Sequence, residues 1–304
     1  MRIKEVISRK DLKRFVGFPD KLYRDCPQYV PALHSDQIHS LTKSASLAYC
    51  KRRMWLALDE GDNVVGRICA MINPHYNEIY GKKCCRFGWF DTVEDYDVAK
   101  ALIDTAAKWA KEQGMEQIHV PLYYNTLGKQ GMLVEGFENI PPFNCIYNFP
   151  YYNDLVQALG FAKECDWVQY KVVADAGVPE KAHRVASMLM QRYNLHEGNL
   201  DVLKKDKAMV KSFFQVYSDS FANAVYNFIP FTDEEMEEEA ESYMKFISEK
   251  NSSIILDENE NIAGFSVAFP SISKALQKAK GRLFPFGWYH LLQALRKYDT
   301  CDLM

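Results

Sequence analysis

The chain has no C-x-x-C pair and no regular cysteine spacing; its eight cysteines stand at positions 26, 50, 69, 84, 85, 145, 165 and 301. That pattern argues against a disulfide framework and for thiols used as small buried hydrophobes in a reducing compartment. Cys84 and Cys85 are adjacent, so on a strand they face opposite ways and cannot chelate one metal together. The seven histidines are scattered too, with no H-E-x-x-H and no pair one helical turn apart, and no metal site is expected. Long apolar runs are also lacking. The longest, such as Ile262 to Pro270, fall well short of the roughly 18 residues of a spanning helix, and Met1-Arg-Ile-Lys-Glu lacks the apolar core of a signal peptide. Charge of one sign is missing as well. With 37 Lys+Arg against 40 Asp+Glu the net charge is -3 and the pI 6.2, which speaks against a dedicated nucleic-acid binder. These absences lead to the expectation of a soluble, cytoplasmic protein with neither membrane nor nucleic acid among its partners.

What is present is apolar material arranged with a period. Residues of the apolar class make up 48% of the chain and aromatics 13%, enough for real cores and for one large or two ordinary domains. Ile3 to Ile7 reads as a strand, and Ser8 as the cap of a helix carrying Leu12, Phe15 and Val16; Pro19, Pro27 and Pro31 are then expected to break the chain into turns. Trp55 to Leu58 and Val64 to Ile72 flank the polar cluster Asp59-Glu-Gly-Asp-Asn as a β-hairpin. Lys83 to Phe90 is a third strand, Asp97 to Gln113 an amphipathic helix, Ile118 to Leu122 a strand, Tyr151 to Leu159 a short helix and Glu164 to Val173 a last strand. In the second half, helices are expected at Lys181 to Tyr193 and Asp206 to Phe221. A third starts from the T-x-x-E capping box of Thr232 and Glu235, and its seven carboxylates between Asp233 and Glu241 read as a solvated face. Ser253 to Leu256 and Ile262 to Phe269 repeat the hairpin pattern, and helices at Ser273 to Lys280 and Phe286 to Lys297 follow.

The hairpin ending in Gly66-Arg-Ile-Cys-Ala-Met-Ile, the strand passing into a helix, and the closing Tyr151-Tyr-Asn-Asp-Leu-Val-Gln-Ala-Leu-Gly-Phe-Ala-Lys resemble the Gcn5-related N-acetyltransferase (GNAT) superfamily. Leu22-Tyr-Arg-Asp-Cys-Pro-Gln-Tyr-Val-Pro-Ala-Leu, Gly131-Met-Leu-Val-Glu-Gly-Phe, Asn227-Phe-Ile-Pro-Phe-Thr-Asp-Glu-Glu-Met and Gly281-Arg-Leu-Phe-Pro-Phe-Gly are similar to a bacterial group of tandem GNAT-like proteins. The resemblance implies an α/β (α+β layered) fold, a GNAT-like mixed central sheet flanked by helices, followed by a second, incomplete GNAT-like half. Residues 1–174 would be the first domain, 175–200 a connecting helix and linker, and 201–304 the N-terminal part of the second. It also implies the cofactor acetyl-CoA or another acyl-CoA, with a pyrophosphate held at a helix N-terminus by a glycine turn and a tyrosine protonating the leaving thiolate.

Two features depart from that pattern. The turn Phe90-Asp-Thr-Val-Glu-Asp-Tyr-Asp-Val-Ala has no glycine and four carboxylates (Asp91, Glu94, Asp95, Asp97) that would cap the helix themselves, so weak or absent acetyl-CoA binding is expected. The family's tyrosine position is held by Val156, and Tyr152, one turn earlier, is the catalytic candidate in its place. Phe87, Trp89 and Phe90 are the cofactor-binding candidates. Asn223, Tyr226, Asn227 and Phe228 are the candidates for an acceptor pocket taking a small-molecule amine or a peptide. Near Asp302-Leu-Met the second half stops before its own cofactor strand. Ile262 to Phe269 is therefore expected to present an open edge, covered by further chain or by a second copy in a homodimer. Two readings stay open at this stage: an acyl-CoA-dependent N-acyltransferase of unknown acceptor, and a non-catalytic GNAT-fold module binding a small ligand or peptide in an aromatic groove near Trp89, Tyr123, Tyr147 and Tyr152.

Overall fold

The computed structural model describes residues 1–173, 177–222, 224–243, 247 and 249–303, and the chain divides into two compact units. The first unit takes residues 1–162, 227–229 and 271–298, the second 163–226, 230–270 and 299–304.

The first unit is built from β1 (Arg2–Glu5), α1 (Arg9–Leu22), α2 (His34–Thr42), β2 (Lys51–Leu58), β3 (Val64–Ile72), α3 (Pro74–Ile79), β4 (Cys84–Thr92), α4 (Tyr96–Glu112), β5 (Gln117–His119) and α5 (Tyr151–Ala158). The five strands form one sheet in sequence order, antiparallel from β1 to β4 and parallel between β4 and β5. Both faces are covered, which is why β3 and β4 read as continuous apolar runs rather than alternating ones. Successive residues still point to opposite faces. Trp55, Ala57, Ile68, Ala70 and Phe87 pack with Val98, Leu102, Ala106 and Trp109 of α4, whereas Met54, Leu56, Cys69 and Met71 pack with Phe15 and Val16 of α1 and Leu41 of α2.

Local chemistry explains most boundaries. Ser8 caps α1, its Oγ accepting from Asp11 N–H at 3.1 Å, and Asp11 is held in turn by Lys4 at 2.6 Å. Pro19 does not break the chain as expected: it lies inside α1, which continues to Leu22. A helical proline leaves the carbonyl four residues earlier without its donor. Here that carbonyl belongs to Phe15, and the Arg67 guanidinium from β3 donates to it at 2.9 Å. A tertiary partner thus compensates the local defect.

The second unit holds α6 (Glu180–Arg192), β6 (His196–Glu197), α7 (Leu200–Leu203), α8 (Lys207–Phe221), α9 (Asp233–Tyr243), β7 (Ser253–Leu256), β8 (Ile262–Ser266) and β9 (Ala268–Pro270). The chain then re-enters the first unit for α10 (Ser273–Ala279) and α11 (Gly287–Arg296), and returns for β10 (Cys301–Leu303). β6, β7 and β8 form an antiparallel sheet over a core of Leu200, Ile254, Leu256, Ile262 and Phe269, with Phe213 against Phe265 at 4.0 Å. The capping box forms: Thr232 N–H donates to Glu235 Oε2 at 3.1 Å and Glu235 N–H to Thr232 Oγ1 at 3.3 Å, which buries Glu235 while its acidic neighbours stay outside the core.

Two expectations are corrected. Glu164 to Val173 forms no strand, although its pattern is a strand's; Trp167, Val168, Tyr170 and Val172 are exposed on both sides of the alternation, so neither face is buried to hold it in a sheet. The edge after Ile262 is partly closed, because the chain's own Cys301–Leu303 pairs antiparallel with Ala268–Pro270.

Candidate functional site

The first unit contains a cleft at the point where β4 and β5 part. These strands pair over three residues, Cys84 with Gln117 to Arg86 with His119, and Leu122 N–H still donates to Phe87 O at 3.0 Å. Beyond that the ladder pairing ends, and Tyr123 covers Gly88 so closely that a Cβ there would stand 2.6 Å from its ring. On its other side β4 is bulged. Arg67 faces Asp91 and Cys69 faces Gly88, so Trp89 and Phe90 together oppose Ile68. Trp89 has a φ of +46°, a left-handed conformation that an aromatic residue holds only at a cost of about 1 to 3 kcal/mol when its surroundings enforce it. Its ring is fixed by a 3.7 Å stack on Tyr123 and by Nε1–H donating to Gln37 Oε1 at 2.6 Å.

The cleft encloses about 70 Å³, room for a few waters, and its wall includes Tyr29, Arg67, Trp89, Phe90, Asp91, Tyr123, Lys129, Tyr147 and Tyr152. Its charged centre is a buried pair, Arg67 Nε to Asp91 Oδ2 at 2.7 Å. The Tyr23 hydroxyl donates to the other Asp91 oxygen at 3.1 Å and lies 3.3 Å from the Tyr152 hydroxyl. Tyr152 OH accepts from Thr92 N–H at 2.9 Å, and Tyr151 OH donates to Thr92 O at 2.6 Å. Burial, with the Asp91 charge adding to it, raises the Tyr23 and Tyr152 phenols well above their ordinary value, so both stay protonated. Lys129 behaves in the opposite sense. Burial pushes its ammonium down to about 8, the Asp91 charge offsetting only part, while Nζ donates to Cys145 O at 2.9 Å.

Asp91 therefore stands apart from the helix it was expected to cap. Asp95 caps α4 instead, accepting from the N–H groups of Asp97 at 2.9 Å and Val98 at 3.2 Å. Those are the donors a pyrophosphate would need, and a carboxylate already holds them. With no glycine to open the turn, the α4 N-terminus does not fit a CoA pyrophosphate.

Of the residues singled out from the sequence, Tyr152, Trp89 and Phe90 meet in this cleft. Phe87 does not line it: its ring is fully buried against Phe90 and Phe161, and only its carbonyl faces the parting strands. Asn227 and Phe228 belong to the first unit but not to the cleft; Tyr76 OH donates to Asn227 Oδ1 at 2.9 Å and Tyr80 OH to Phe228 O at 2.9 Å. Tyr226 lies in the second unit, its hydroxyl bonded to the Glu164 carboxylate, and Asn223 lies outside the described residues. Sequence reading missed Arg67, Asp91 as an inward group, and Lys129. The one local signal was Lys129 within Gly128-Lys-Gln-Gly131, a charged residue set between glycines. Among the described residues no group of three His, Cys, Asp or Glu side chains is placed to hold a metal ion.

No protein-family model matches the chain. It is 27% identical over 299 residues to Protein YghO of Escherichia coli (strain K12), across 97% of this chain and 74% of that protein. It is 28% identical over 292 residues to Bacterial ceramide synthase of Caulobacter vibrioides, across 94% of this chain and 74% of that protein. Among solved structures it is similar to a Gcn5-related glucosamine N-acetyltransferase region of a fungal multi-domain β-N-acetylglucosaminidase, with a TM-score of 0.48 and 11% identity, covering 88% of this chain and 27% of that one. The first unit has the mixed central sheet flanked by helices that the GNAT resemblance of the sequence leads one to expect, with α5 closing it.

Proposed function

We infer that the protein takes part in acyl-CoA-dependent N-acyl transfer, and that the cleft of the first unit receives the acceptor amine. The observation that carries this reading is the group of Lys129, Asp91 and Tyr152 around one cavity at the parting of β4 and β5. An amine attacks a thioester only when neutral, so its proton must go to a neighbouring base; an ammonium lowered to about 8 is partly neutral near physiological pH and suits that task. Asp91, its charge balanced by Arg67, is a hydrogen-bond acceptor for the incoming amine at the cavity wall. Tyr152 is the candidate proton donor to the leaving group. The acyl-CoA would supply the activated acyl carbon, and the N–H groups of Asp97 and Val98 at the α4 N-terminus are already held by Asp95.

The relative named ceramide synthase suggests an acceptor class, since a ceramide is an N-acylated long-chain amino alcohol. Release of the CoA thiol should be followed with acyl-CoA and a panel of primary amines that includes amphiphilic amino alcohols. Transfer to at least one amine, slowed by Lys129→Met with loss of the alkaline rise in rate, is the expected result. Calorimetric titration with acetyl-CoA alone should give nothing tighter than high micromolar, worth about 5 to 6 kcal/mol. Low-micromolar binding would mean that the phosphates are held elsewhere. One observation favours the non-catalytic alternative: the tyrosine hydroxyls already bonded to Thr92 occupy the β4 backbone next to the cleft. Binding of an amine without CoA release across the panel would select it.

A further inference from the structure

Between Ser271 and Tyr298 the chain carries six basic residues, Lys274, Lys278, Lys280, Arg282, Arg296 and Lys297, and no acidic one, in a protein whose net charge is -3. All six are exposed. The same stretch also exposes large apolar side chains: Phe284 at 80%, Phe286 at 69%, Tyr289 at 53%, Trp288 at 46% and Leu292 at 45%. In a helix facing water the outer side is polar. In α11 the outward side is apolar as well as the inward one, for Trp288, Tyr289 and Leu292 are exposed beside Gln293 and Arg296, while Leu291, Ala294 and Leu295 are partly buried. Aromatic side chains beside a cluster of cations, with no carboxylate between them, make up the composition of a helix that lies in a lipid headgroup layer. No helix among the described residues is long and apolar enough to cross a membrane, and a helix lying in the surface need not be.

We propose that the α10–α11 hairpin is a docking face for an anionic lipid bilayer, with the Phe284, Phe286 and Trp288 side chains entering the headgroup region and the lysines and arginines meeting lipid phosphates. Charge complementarity selects this occupant over a second copy of the chain, because two such basic faces would repel. The hairpin is tied to the rim of the cleft: Ser273 Oγ donates to Pro141 O at 2.8 Å and Gln277 Nε2 to Tyr29 O at 3.0 Å, and both Pro141 and Tyr29 line the cavity. Docking would bring that rim beside the lipid surface. Delivery of a lipid-borne acceptor from there rests on the acyl-transfer reading; binding to the bilayer does not.

The test is co-sedimentation of the full chain with vesicles of phosphatidylcholine alone and of phosphatidylcholine with about 30 mole per cent phosphatidylglycerol. Binding to the anionic vesicles at least about tenfold tighter than to neutral ones, and weakened by raising salt to about 0.5 M, is expected. The exposed substitutions Lys278→Glu with Lys280→Glu and Arg282→Glu, and separately Phe284→Ser with Phe286→Ser, should each lower that binding about tenfold with an unchanged circular dichroism spectrum. Brominated acyl chains should quench tryptophan fluorescence in the native chain and much less in Trp288→Phe. No binding to anionic vesicles, equal binding to neutral ones, or binding indifferent to both sets of substitutions would overturn the proposal. So would a dimer by light scattering that dissociates on Phe284→Ser with Phe286→Ser while vesicle binding is absent. Vesicle binding reads no chemistry, so its failure and a failure of acyl transfer are told apart.

Discussion

At the scale of single residues, Arg67 joins three parts of the first unit. Its guanidinium pairs with Asp91 of β4 and completes the carbonyl that Pro19 leaves open in α1. Both charges are buried, so removing one strands the other. Arg67→Met should cost about 3 to 5 kcal/mol in urea unfolding, and the double variant Arg67→Met with Asp91→Leu should recover most of it. Additive losses would mean that the pair is not what holds this wall. Lys129 makes a separate claim on pH. Its folded value of about 8 lies below the 10.5 of the unfolded chain. Between these two values the unfolded state binds the proton and the folded state does not, so stability should rise with pH through that window; below about 8 the penalty is complete. The native chain should gain on the order of 2 to 3 kcal/mol relative to Lys129→Met from pH 8 to 10.5. Parallel curves for the two proteins would remove Lys129 from the list of buried cations. Lys129 showed only as a charged residue set between glycines, and Arg67 did not show in the sequence at all. Arg67 sits in an apolar strand motif, and its partners lie 52 and 24 residues away in the chain.

Secondary-structure elements were more legible, because their signals are local. The first hairpin, α4, the Ser8 cap and the Thr232 capping box appear where periodicity and cap residues put them. The failures have one cause, which is that a local signal was overruled or left unanswered by distant residues. Pro19 stays helical with Arg67 on the Phe15 carbonyl, and Glu164 to Val173 has the composition of a strand but joins none of the sheets. The bulge at Trp89 depends on the register between β3 and β4, which no single strand encodes. At α4 the cap itself is testable. Asp95→Ala should lower stability by about 1 kcal/mol, and Asp95→Asn by less because the amide oxygen still accepts; thermal unfolding read by far-ultraviolet circular dichroism would measure both. Equal losses would show that the charge, not the hydrogen bonds, carries the effect.

Across the whole molecule the cysteines report burial. Cys165 and Cys301 are exposed, whereas Cys50, Cys69, Cys84 and Cys85 are buried, and burial pushes the Cys69 and Cys85 thiols up to about 12. Since the thiolate is the reactive form, a thiol reagent should label Cys165 and Cys301 first in the native protein and the buried four only on unfolding. Peptide mass spectrometry after timed quenching would read the order, and early labelling of Cys69 or Cys85 would contradict the packing of the sheet. Composition, periodicity and cap residues by themselves determined that this chain forms a layered mixture of sheet and helix, since burial of apolar faces with the right period requires little else. They also placed a carboxylate at the cap of α4, where Asp95 accepts from the N–H groups of Asp97 and Val98, since a cap depends on residue types in one short stretch. Only the tertiary structure decided where the β4–β5 ladder ends, that Asp91 turns toward Arg67, that Lys129 is partly withdrawn from water, and that aromatic side chains of α11 face outward. Each of these is set by which distant surfaces meet, and the free energy of a charge or an aromatic ring depends on what surrounds it rather than on its neighbours in the chain.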